Sequence, residues 1–155
     1  MKLSTRTQYG LRLLCQLAAE YDKGSLQMGE IGEREGISEK YLGQIMLILK
    51  SSGLVLSTRG SQGGYYLSRP PDRIGLLEAF EVLEGEIFEY GDDAAAYPPG
   101  AGGGPPAEAA ASVRGATEEI WSRVRAAIRG VLADYTLDDV VKLGLIKAGF
   151  LDYRI

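Results

Sequence analysis

The chain has 155 residues, 45% of them apolar, and a formal net charge of −4, which suits one small domain with a real core and an appended element. Histidine is absent and cysteine occurs once, at Cys15, so the commonest general base and zinc ligand are missing, no intramolecular disulfide can form, and an enzyme is not expected. No apolar run could span a bilayer and no signal-like segment opens the chain, so a cytoplasmic protein with no membrane partner is expected.

Lys2-Leu3-Ser4-Thr5 forms a polar arm ahead of a first helix that runs to about Asp22. Leu11, Leu14, Cys15, Ala18 and Tyr21 mark its buried face. On that stripe Cys15 reads as a small core residue, with a redox switch as the alternative. Lys23-Gly24-Ser25 breaks the helix, and Leu26 to Met28 is expected as a short strand. Gly29 to Glu35 then reads as a second helix with Ile31 in the core, followed by a turn in which Gly36 supplies permissive backbone and Ile37 packs inward.

The third helix is the best defined. Ser38 offers an N-cap oxygen, Leu42, Ile45, Met46 and Leu49 recur at helical spacing, and Gly53 ends it. Its opposite face carries Glu39, Lys40, Gly43, Gln44 and Lys50. Two β-prone runs, Leu54 to Thr58 and Tyr65 to Ser68, flank the glycine-rich Arg59-Gly60-Ser61-Gln62-Gly63-Gly64. Helix, tight turn, helix and hairpin in this order outline a winged helix-turn-helix, whose second motif helix enters the major groove of DNA. The loop is no phosphate-binding loop, because it lacks the glycine spacing, the lysine and the following helix.

Arg69-Pro70-Pro71-Asp72 ends the hairpin, and Gly75 to Glu84 is a short helix with Leu76, Leu77, Phe80 and Leu83 as its apolar set. Residues 86–112 are rich in Ala, Gly and Pro and read as a flexible loop. From Ser112 to Tyr135 a long helix returns, with Ile120, Trp121, Val124, Ile128, Val131 and Tyr135 as a wide apolar face suited to pairing with a second copy of the chain. Thr136 to Asp139 looks like a new cap opening a last helix, and Phe150, Leu151, Tyr153 and Ile155 are expected to dock. Charge divides unevenly along this order. Residues 1–73 hold ten Lys/Arg against seven Asp/Glu, about +3, and residues 74–155 hold seven against fourteen, about −7. The basic half is the one with the helix-turn-helix.

The opening MKLSTRTQYGLRLL, the turn GEIGEREGISEKYLGQI, the hairpin LVLSTRGSQGGYYLSRPPDRI and the helix ending LEG together resemble the Rrf2-type bacterial transcription regulators. The resemblance covers most of residues 1–85 and extends to the long helix and the TLDDVV segment. It implies a mainly α protein with a small β-wing: a winged helix-turn-helix domain at 1–85, the loop at 86–112, and a dimerisation helix with a C-terminal segment at 113–155. Its function would be that of a homodimeric regulator of transcription, a repressor, on a palindromic operator in double-stranded DNA. The alternative is a protein-interaction module of the same fold, and the effector, a small molecule or a partner protein, stays open.

Carried over residue by residue, Ser38, Lys40, Tyr41 and Gln44 fall on the recognition helix, Arg59 on the wing where it would enter the minor groove, and Lys2, Ser4 and Tyr9 on the region that touches phosphates. Gln44 would then read adenine and Lys40 guanine. Tyr41 could equally serve packing. Gly43 departs from the resemblance, since relatives often carry glutamate there. A larger departure concerns iron. Cluster-binding relatives place three cysteines between the LEG helix and the long helix, and here that interval holds none. An iron–sulfur cluster is therefore not expected, and no other cofactor or metal is implied. Either the chain belongs to a cluster-free branch, or alanines stand where cysteines were removed.

Overall fold

The computed structural model describes residues 3–60, 63–85 and 107–150, with the side chains of the last segment described from Ser112 onward. The chain forms two compact units, the first made of residues 1–85 together with those from Leu132 onward, the second of residues 86–131.

In the first unit, α1 (Thr5–Ala19) is the central element, in contact with every other helix of the unit and with the hairpin. Ser4 caps it by accepting from the Thr7 N–H. Leu13, Leu14, Leu17 and Ala18 are its buried apolar residues, while Leu11, Cys15 and Tyr21 are only partly covered. The expected face was thus too narrow: a helix with neighbours on several sides buries more than one stripe, so Leu13 and Leu17 escape a one-face count. Burial, then the nearby Glu35 charge, pushes the Cys15 thiol up to about 11. It stays protonated at neutral pH and is a poor nucleophile, as a packing residue would be.

Helices α2 (Met28–Glu35) and α3 (Glu39–Ser51) form the helix-turn-helix. Gly36 takes the left-handed conformation at φ 66°, where the Ile37 N–H turns back to the Gly32 carbonyl at 3.0 Å. Ser38 caps α3, and Leu42, Ile45, Met46 and Leu49 are all buried, as their spacing requires. Strands β1 (Val55–Thr58) and β2 (Gly64–Leu67) pair antiparallel with Val55 opposite Leu67 and Thr58 opposite Gly64. The strand expected at Leu26 to Met28 shrinks to one bridge between Leu26 and Tyr65, because Met28 already belongs to α2. Gly64 permits that bridge: a Cβ there would lie 2.5 Å from the Leu26 carbonyl oxygen.

A 3-10 turn at Pro71–Arg73 leads into α4 (Leu76–Glu84), which buries Ala79, Phe80 and Leu83. Helix α6 (Leu137–Lys147) opens with a complete capping box between Thr136 and Asp139 and buries Leu137. The Leu137 N–H donates to the Ile74 carbonyl at 3.0 Å, and the Leu76 N–H donates to the Tyr135 carbonyl at 2.8 Å. The segment from Leu132 groups with the first 85 residues. Phe150 is exposed rather than docked; Leu151, Tyr153 and Ile155 lie outside the described residues.

Helix α5 spans Ala107–Ala133. It starts about a turn and a half before the expected boundary, inside the Ala-rich stretch that composition alone marks as loop. Alanine is the strongest helix former, so a run of it extends a helix that is already nucleated. The rest of the expected loop, residues 86–106, lies outside the described residues.

One polar contact holds the two ends of the winged module together. Glu84, last in α4, accepts from the Ser4 hydroxyl at 2.6 Å, from the Ser4 N–H at 3.4 Å and from the Thr7 hydroxyl. Partial desolvation pulls the Glu84 pKa up. The Ser4 and Thr7 hydrogen bonds, aided by the Arg6 charge, outweigh it and hold the carboxyl below its ordinary value. The folded state thus favours the carboxylate, so this contribution is complete above the ordinary glutamate pKa and fades as pH falls through the lowered one. Glu84→Gln should lose about 1–2 kcal/mol near neutral pH, low in the range for charged hydrogen bonds because the group is half-buried. Denaturant unfolding from pH 7 to pH 3 checks this: the gap between the two proteins should narrow on the acid side. A constant gap would contradict it.

Candidate nucleic-acid interface

The polar face of α3 lies opposite its core stripe. At 100° per residue Lys40 and Gln44 point about 180° away from Leu42, Ile45, Met46 and Leu49. Lys40, Gln44 and Arg59 are exposed, and none bonds to another described residue. Other cations are committed to the fold. Arg34 pairs with Glu30 at 2.6 Å, Arg69 with Glu78 at 2.5 Å, and the Arg6 Nε donates to the Leu83 carbonyl at 2.7 Å.

Lys50 shows the difference most clearly. It shares the polar side of α3 by sequence, yet its Nζ donates to the Ser57 hydroxyl at 2.8 Å and sits 5.9 Å from the centre of the Tyr65 ring. It fastens the end of α3 to the wing and offers little to a ligand. Arg59 lies just past β1 and lines a groove of about 620 Å³ together with Gln27, Gly29, Glu39, Ser57 and Tyr65.

The α1 side of this surface is built on an aromatic pair. Tyr9 and Tyr41 meet edge to face, centroids 6.1 Å apart at 85°. The Arg12 guanidinium lies 5.7 Å from the Tyr9 ring centre and reaches Glu35 at 3.9 Å. Tyr41 therefore packs, and its ring locks the first turn of α3 against α1. Arg12, 60% exposed at its side chain, is a surface cation that the motif spacing did not single out. Its position one turn beyond Tyr9 is the signal that could have found it.

The other expected contacts fall differently. Ser38 is exposed, but its hydroxyl oxygen accepts the Tyr41 N–H at 3.4 Å as the α3 cap. Ser4 is engaged within the fold: its hydroxyl oxygen accepts the Thr7 N–H as the α1 cap, while its O–H and its N–H donate to Glu84 at the end of α4. Lys2 lies outside the described residues. A Cβ at Gly43 would meet nothing within 4 Å, so the missing carboxylate there changes chemistry and not packing.

Among the described residues no group of three or more His, Cys, Asp or Glu could hold a metal ion, and no helix is long and apolar enough to cross a membrane. On α5, in the second unit, Val113 is 68% exposed, Ile120 62% and Val131 60%, and Trp121 is exposed too. Val124 and Ile128 are partly covered. This is an apolar face on an otherwise charged helix, flanked by the Arg123–Glu119 and Arg125–Glu118 pairs at 3.7 and 4.0 Å. Tyr135, beyond its C-terminal end, is also exposed.

Residues 3–143 match the family model described as Rrf2, iron-dependent transcriptional regulator. The HTH-type transcriptional regulator CymR of Bacillus subtilis is 34% identical over 140 residues, which cover 90% of this chain and 89% of that protein. An HTH-type regulator IscR from Cereibacter sphaeroides is 37% identical over 89 residues, 56% of this chain and 57% of its own. Among solved structures, CymR of B. subtilis, titled the global cysteine regulator, superposes with a TM-score of 0.71 at 32% identity, covering 92% of this chain and 98% of that one. The T. potens IscR structure gives 0.70 at 32%, covering 93% and 88%.

Proposed function

Since the chain belongs to the Rrf2 family of DNA-binding transcriptional regulators, we propose that it acts in the cytoplasm as a homodimeric repressor on a palindromic operator. The observation that carries this reading is the exposure of Lys40 and Gln44 on the polar face of α3 and of Arg59 on the wing, none of which bonds to another described residue. Lys40 and Gln44 would read base edges in the major groove, guanine and adenine being their best partners. Arg59 would enter the flanking minor groove, where narrow A-tracts concentrate negative potential. Arg12 and Lys2 would add phosphate contacts, supplying affinity that is blind to sequence and sensitive to salt. Tyr9, Tyr41 and Ser38 set the angle of α3 and touch the backbone only secondarily; Ser4 is left to the fold.

Two copies would join through α5, with Ile120, Trp121, Val124, Ile128 and Val131 forming the seam and Tyr135 at its end. A two-fold dimer presents its recognition helices to inverted half-sites, about 34 Å apart along one side of the duplex. Bound across a promoter, such a dimer would occlude polymerase, which favours repression. Footprinting on DNA upstream of the protein's own gene should show two protected patches one helical turn apart. Protection of a single patch would contradict the dimeric operator.

The family model carries iron in its description, and cluster chemistry does not fit this chain. A [2Fe–2S] or [4Fe–4S] cluster takes four ligands, thiolates with histidine as the occasional substitute. The chain offers one cysteine and no histidine, and that cysteine is half-buried in α1 with its thiol held protonated. We therefore read the protein as regulating without a cluster. Stoichiometric iron and sulfide in protein purified without oxygen would contradict this.

A further inference from the structure

Leu47 is 70% exposed, in a helix whose other leucines, Leu42 and Leu49, are fully buried. It is no misplaced core residue. At 100° per residue, Lys40, Gln44, Leu47 and Ser51 fall within an arc of about 60°, centred opposite the core stripe. Leu47 thus stands at one edge of the arc that carries Lys40 and Gln44, an apolar group on a polar face. The pattern of core spacing does not reveal it, because a single leucine outside the stripe looks like ordinary surface scatter.

We propose that Leu47 is a specificity-determining residue that packs on the methyl group of a thymine in the major groove. The inference rests on the DNA-reading role of α3 and adds a third base-reading position to it. A helix rises 1.5 Å per residue, so Leu47 lies about 10 Å along the axis from Lys40, about three base-pair steps. Of the groups that base edges present in the major groove, the thymine C5-methyl is the apolar one. Placed against a cytosine amino group or a purine N7, the leucine would strip water from a polar atom and return no hydrogen bond. Placed against the methyl, both partners leave water at no polar cost. A protein partner fits this face less well, because Lys40 and Gln44, two turns and one turn before Leu47 on the same face, carry polar heads with no partner among the described residues, which an apolar protein surface would have to bury.

The test uses duplexes selected from a random pool by the full-length protein. Each thymine of the selected site is then replaced singly by deoxyuridine, which removes the methyl and keeps every hydrogen-bonding group. One thymine per half-site should respond: its replacement should weaken binding about fourfold, the fold-change that corresponds to ~0.8 kcal/mol for one buried methyl-sized group. Leu47→Ala should bind more weakly than wild type, lose the response to deoxyuridine at that position, and melt at an unchanged temperature, since the side chain is exposed. A flat deoxyuridine scan for wild type, or an equal response in Leu47→Ala, would overturn the proposal and leave the reading of α3 by Lys40 and Gln44 standing. Failure to enrich any duplex over the pool would overturn that reading, and the role of Leu47 with it.

Discussion

Arg59→Ala combined with Gln44→Ala should lower operator affinity by two to three orders of magnitude and leave the thermal stability of the protein unchanged. Both side chains are exposed and bond to nothing else described, so their removal disturbs no internal contact. A well-placed bidentate contact from Gln44 to adenine is worth about 1–3 kcal/mol. Arg59 contributes through the electrostatics of the minor groove, and losing it should also reduce the salt slope by about one for each chain. Each change counts twice in a dimer, which brings the product into the stated range. The single variants should separate these roles. Gln44→Ala should flatten discrimination between operator and mutated operator, whereas Arg59→Ala should weaken binding to AT-rich flanks most. Titrations by fluorescence anisotropy at several salt concentrations would read both effects. Unchanged affinity in the double variant would remove α3 and the wing from the DNA interface.

The second large effect concerns α5. Ile120→Glu together with Val131→Glu should convert the proposed dimer to monomers at micromolar concentration. Val113, Ile120 and Val131 leave most of their surface open in the single chain, and burying such a side chain on association is worth about 1.5–3 kcal/mol. Around a two-fold axis each substitution also sets like charges near one another, so the dissociation constant should rise by at least roughly 10³. Sedimentation equilibrium checks the mass directly. Binding to a two-half-site operator should fall in parallel, while weak binding to one half-site persists, because the winged unit is untouched. A variant that stays dimeric would move the interface off this face.

Much of the candidate surface could be foreseen because local chemistry fixes it. Ser38, the Leu42–Leu49 stripe and Gly53 define α3 from one end to the other, and the side opposite that stripe has nowhere to face but solvent. Gly36 marks the steep turn for the same reason, since its φ of 66° suits few other residues. What escaped was set by tertiary contacts. Lys50 looked like a free cation until the hairpin placed Ser57 and Tyr65 under it. Ser4 gives no local sign of its partner Glu84, which lies eighty positions away on α4 and accepts from its hydroxyl. The early start of α5 was hidden by composition, because alanine-rich sequence serves loops and helices alike until a neighbouring turn nucleates it. Leu137 and the Thr136–Asp139 box announce α6 clearly, but nothing in them says that this helix returns to pack on α1.

The most direct test of the central claim is a pair of titrations of the full-length protein, one on a duplex selected from a random pool and one on its scrambled counterpart, each across a range of salt. A sequence-reading regulator should bind both with affinity that falls steeply as salt rises, and should hold the selected duplex at least 10³ times more tightly at physiological salt. Equal affinity for the two duplexes, or binding indifferent to salt, would contradict it.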